Sequence, residues 1–139
     1  MRACKYIGIG MLILMFFAGS ANAAADKKEF IAKTDTDGVQ RVEVLAGSYF
    51  FDPNYIVVKV NVPVEMKITM ESGMIPHDIE LKAPDAGMDL KMDLSSSTPQ
   101  VMRFTPTKTG EFTFYCTKKL LFFESHKDKG MVGTLEVRD

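Results

Sequence analysis

The chain has 139 residues, with 17 basic and 18 acidic side chains and a net charge of −1. That length holds one domain with a single sizeable core. So balanced a charge leaves no basic stripe for nucleic acid.

The first residues read as an export signal. Arg2 and Lys5 precede an apolar run from Tyr6 to Ala18, and Ser20-Ala21-Asn22-Ala23 supplies an A-x-A cleavage pattern. Residues 1–23 are therefore expected to be a signal peptide and the mature protein to be periplasmic. The run is short for a spanning helix, usually about 20 residues, so no membrane insertion is expected after cleavage. Cys4 has no small-residue cysteine box behind the apolar run, so no lipid attachment is expected either. Its removal leaves Cys116 without an internal disulfide partner.

Residues 24–39 are polar and end in Thr34-Asp35-Thr36-Asp37-Gly38, the pattern of a loose arm with one short strand around Phe30. Residues 40–139 form the expected domain. Val42, Val44 and Ala46 alternate with Arg41, Glu43 and Leu45, and Tyr55 to Val60 is a β-branched run. Met66, Ile68 and Met70 alternate with charged or hydroxyl residues, as do Ile79 and Leu81. Val101–Phe104, Phe112–Tyr115 and Val132–Val137 complete the series. Breakers such as Asp52-Pro53-Asn54, Asn61-Val62-Pro63 and Thr105-Pro106 separate the runs. About seven short strands with regular breaks predict an all-β, Greek-key β-sandwich. Met88 and Met92, four apart, allow one helical turn between Asp85 and Ser97.

The chemistry gathers late in the chain. Cys116 opens the run Cys116-x9-His126-x4-Met131, and Pro76-His77-Asp78 supplies a second histidine upstream. Alone, each of these side chains reads as a core residue. Together they are the ligand set of a mononuclear copper site, one ion cycling between Cu(I) and Cu(II). Thiolate suits the reduced ion, imidazole the oxidised one, and a distant thioether tunes the couple. No nucleophile–base pair or glycine-rich phosphate loop points to an enzyme, and no second mature cysteine exists for a binuclear site.

Three stretches carry a family resemblance. Gly73-Met74-Ile75-Pro76-His77-Asp78-Ile79 is similar to the first-histidine stretch of plastocyanin-like cupredoxins, the type 1 blue copper proteins. Thr109 to Cys116 resembles their G-x-[YF]-x-[YF]-[YF]-C strand, and His126-x4-Met131-x-Gly133-x-Leu135-x-Val137 their closing motif. The resemblance spans Gln40 to Val137. It implies equatorial ligands at His77, Cys116 and His126, an axial Met131, and a monomeric one-electron carrier serving a redox protein such as a cytochrome or oxidase.

The chain departs from that pattern twice. The nine residues Thr117 to Ser125 separate cysteine and histidine, where the family usually has two to four. Glu124 in that loop opens the alternative of a glutamate-ligated red copper site with a catalytic or sensing role. Asp78 stands where the family has asparagine. It is expected to accept hydrogen bonds from Thr117 and to lower the reduction potential.

Three features allow two readings each. Leu120-Leu121-Phe122-Phe123 is either a buried loop or an exposed collar for a partner. Lys118, Lys119, Lys127 and Lys129 are either solvated charge or a means of steering an acidic partner. Met74, Met88 and Met92 either pack or bind Cu(I), as a copper chaperone or resistance protein would require.

Overall fold

The computed structural model describes residues 27–139, so the signal-peptide segment 1–23 lies outside the described residues. The period-2 pattern becomes ten strands: β1 (Glu29–Ile31), β2 (Gln40–Gly47), β3 (Phe50–Asp52), β4 (Tyr55–Lys59), β5 (Val64–Met70), β6 (Asp78–Ala83), β7 (Met88–Asp93), β8 (Gln100–Phe104), β9 (Gly110–Tyr115) and β10 (Val132–Arg138). They form a six-stranded sheet in the order β1-β4-β10-β9-β6-β7 and a four-stranded sheet in the order β3-β2-β5-β8.

The alternation decides which side chains meet between the sheets. Val42, Val44 and Ala46 turn inward from β2, and Met66 and Ile68 from β5. Opposite them, Ile56, Val58, Leu81, Phe114, Leu135 and Val137 are buried from the larger sheet. Phe51 and Phe114 meet edge to face across the core, with ring centroids 5.3 Å apart. Gln40 is fully buried yet satisfied: its amide donates to the carbonyls of Lys59 and Val62 and accepts from the Lys59 N–H.

The sandwich is as the sequence led one to expect, with three strands beyond the seven. The expected arm contributes β1, which pairs in parallel with β4 at the sheet edge. β1 is the short strand expected around Phe30, and β3 has only three residues, too short to show alternation. The third, β7, replaces the helical turn expected from Met88 and Met92. Only Pro84–Ala86 forms a short 3₁₀ turn. A spacing of four is also even, so both methionines fall on one face of a strand paired antiparallel with β6. Among the described residues, no helix is long and apolar enough to cross a membrane.

Candidate metal centre

Neighbouring strand ends fix three of the four expected ligands. His77 directly precedes β6 and Cys116 directly follows β9. These strands pair antiparallel with Glu80 opposite Tyr115, a register that continues to bring Asp78 opposite Thr117. Met131 directly precedes β10, and the Cys116 N–H donates to its carbonyl at 3.1 Å. His126 arrives differently, from the long loop. Lys119 and Ser125 bridge the excursion. The His126 N–H donates to the Lys118 carbonyl, and the His126 carbonyl accepts from the Met131 N–H, each at 2.9 Å.

These placements converge. The Nδ1 atoms of His77 and His126 lie 3.2 Å apart, and the Cys116 sulfur is 3.9 Å from the first and 3.5 Å from the second. Metal bonds of about 2.0 Å to nitrogen and about 2.3 Å to sulfur, spread in a plane, need edges of about 3.5 and 3.7 Å. The triangle therefore has the size of one bound ion. Cys116, His77 and His126 are all buried, and so is Met131. Glu124 is exposed and stands outside this group, which gives no support to a glutamate-ligated centre.

Burial keeps all three donors uncharged before a metal is taken up. Burial pushes the Cys116 thiol up. Burial also holds both imidazoles below the ordinary histidine range, helped by the His126 charge at His77 and by Lys129 at His126. Neutral rings leave lone pairs for a metal, and metal uptake displaces the thiol proton. When Nδ1 of His77 presents its lone pair, Nε2–H donates to the Ser48 hydroxyl at 3.1 Å. The Tyr49 ring packs at 4.8 Å from His126 and 6.0 Å from His77.

Asp78 makes the hydrogen bonds with Thr117 expected from the sequence. It is fully buried and accepts from both the N–H and the hydroxyl of Thr117. Burial pushes its carboxyl up, but the two Thr117 bonds, a contact with Cys116 and the Lys91 charge together hold the group below the usual carboxylate range. Its own N–H donates to the Cys116 sulfur at 3.4 Å. Asp78 thus ties the His77 and Cys116 ends together.

The two-sided readings separate here. Leu120, Leu121, Phe122 and Phe123 are exposed, with Phe122 at 99%, so the collar is an open surface. Met74 is also 99% exposed and lines a cavity of about 130 Å³ with Pro76, Lys118, Leu120 and His126. Met88 is buried in the core and Met92 packs against it. Both are therefore packing residues. The sequence did not point to Ser48 or Tyr49. The only signal was the Gly47-Ser48-Tyr49 break after β2.

A β-sandwich holding two imidazoles and one thiol in a buried triangle at one end is the framework of a single-copper protein. A family model for the cupredoxin-like domain matches residues 8–132, and the chain belongs to the cupredoxin-like family. Its donor set fits that family's one copper ion. Solved structures share the fold. The metal-binding domain of a Cu(I)-exporting P-type ATPase of Streptococcus pneumoniae matches with TM-score 0.63 and 18% identity over 81% of this chain and 98% of that one. A copper-binding protein in the apo form matches with TM-score 0.57 and 22% identity over 78% and 96% of the two chains. Auracyanin of Roseiflexus castenholzii matches with TM-score 0.58 and 18% identity over 78% and 99%. No curated protein sequence matches.

Proposed function

We propose that the protein is a periplasmic one-electron carrier. His77, Cys116 and His126 hold its copper, Met131 is the weaker fourth ligand, and a redox protein docks on the collar beside His126. The observation that carries this reading is the buried triangle of two Nδ1 atoms and one sulfur, all within 4.8 Å. When bound, copper supplies a one-electron couple. The chain's part is to hold the donors still. Cys116 and Met131 are joined by a backbone bond, and Asp78 pins the His77 end to Thr117. Donors fixed in advance move little on a change of charge. Four protein ligands leave no open position for a substrate, so the protein acts as a carrier and not an enzyme. It works as a monomer. Residues 1–23 supply export, and the lysines around the loop steer an acidic partner.

A second reading is copper handling. Exposed Met74 at the mouth of the His126 cavity favours it, because a thioether there can receive Cu(I). Voltammetry and copper transfer separate the two. A carrier gives a reversible one-electron wave and exchanges electrons rapidly with a reduced cytochrome. Sluggish cycling, with ready loss of copper to a Cu(I) chelator, would overturn the carrier reading in favour of handling.

A further inference from the structure

Asp78 raises a question that the ligand set does not answer. A buried carboxylate and a metal-bound thiolate put two anions in one buried cluster, where the Asp78 backbone N–H donates to the sulfur at 3.4 Å. Such charges need a cation close by. Lys91 on β7 supplies it, reaching across β6 because Lys91 pairs in register with Glu80. Its ammonium lies 3.6 Å from the Asp78 carboxylate and 3.2 Å from Glu80. It donates to the Thr117 hydroxyl at 2.8 Å. That last bond is directional. A hydroxyl has one proton to give, and with Lys91 donating to its oxygen, the proton is turned to Asp78. Lys118 is a weaker second cation, 3.9 Å from Asp78 and held at 2.6 Å by Asp93.

We propose that Lys91 is a positioning residue for the metal centre, the counter-ion that offsets the Asp78 charge beside the thiolate and so raises the reduction potential. The inference rests on His77 and Cys116 being copper ligands. Lys91 is half exposed and Asp78 fully buried, so solvent screens the lysine more. The effect of Lys91 is therefore opposite in sign to that of Asp78 and smaller. For the fold, Asp78 keeps its two Thr117 donors when Lys91 is lost, so the stability cost is smaller than that of losing Asp78 itself, and the potential is the informative readout.

The test uses the copper-loaded full chain and four variants: Lys91→Met, Lys91→Arg, Asp78→Asn and the double Asp78→Asn/Lys91→Met. Lys108→Met, in the β8–β9 connection at the other end of β9, controls for loss of one positive charge. Lys91→Met is expected to lower the midpoint potential, keep the thiolate-to-copper band and lower apo-protein stability only slightly. Lys91→Arg and Lys108→Met should stay near the parent. Asp78→Asn should raise the potential by more than Lys91→Met lowers it, and in its background the Lys91→Met shift should shrink. An unchanged or raised potential in Lys91→Met, or an equal shift in the Asp78→Asn background, would overturn the proposal. Absence of the thiolate band from the parent would instead overturn the ligand assignment on which it rests.

Discussion

On the β6 side of Cys116, side chains lock one another. Asp78 accepts from Thr117, Lys91 bridges Asp78, Thr117 and Glu80, and Glu80 accepts from the Tyr115 hydroxyl. On the loop side, residues 118–130 keep their shape mainly through backbone bonds and the Ser125–Asp128 pair, with lysines at the base reaching Asp93, Tyr115 and Tyr49, while the apolar tip faces solvent. The contrast separates two tasks. Rigidity is concentrated where the donors sit, and apolar exposure where the proposed partner would dock. His126 belongs to both regions, its imidazole in the rigid triangle and its backbone in the loop.

Breaking the locked side should cost the most. Asp78→Ala leaves the Thr117 donors and Lys91 without their buried acceptor, and denaturant unfolding of the copper-free protein should show a loss of about 3 kcal/mol. Gly133→Ala tests packing on β10, the strand on the other flank of β9. A Cβ there would meet the Phe114 ring at 2.2 Å and the Asn54 carbonyl at 2.8 Å, so a loss of about 2 kcal/mol is expected. Thr117→Val removes one hydroxyl from the network and should cost about 1 kcal/mol. Phe122→Ser, on the open side, should leave the unfolding midpoint where it was and slow electron exchange with a cytochrome. An unfolding loss for Phe122→Ser as large as that for Thr117→Val would erase the distinction between the two regions.

Sequence and structure agree best where the signal is long or the residue types are rare. Val42, Val44 and Ala46 displayed their face by alternation alone. His77 and Cys116 could be placed at strand ends that share one edge of the sandwich, and the expected bond from Thr117 to Asp78 follows from the register of β6 and β9. What stayed hidden depends on contacts between distant elements. Ser48 and Tyr49 reach the imidazoles only because β2 and β3 turn beside them. Lys91 reaches Asp78 only because Met88–Asp93 is a strand, and the even spacing of Met88 and Met92 suits helix and strand alike. The fate of Leu120–Phe123 was open because an apolar run is equally compatible with burial and with a docking surface.

The central claim is that Cys116 and two imidazoles hold one copper ion. Adding one equivalent of Cu(II) to the protein from Ala24 onward, and recording visible absorption and EPR, tests it most directly. An intense thiolate-to-copper band with narrow hyperfine coupling, lost in Cys116→Ser, is the predicted result. Stoichiometric copper uptake with no thiolate band, or a band that survives in Cys116→Ser, would contradict it.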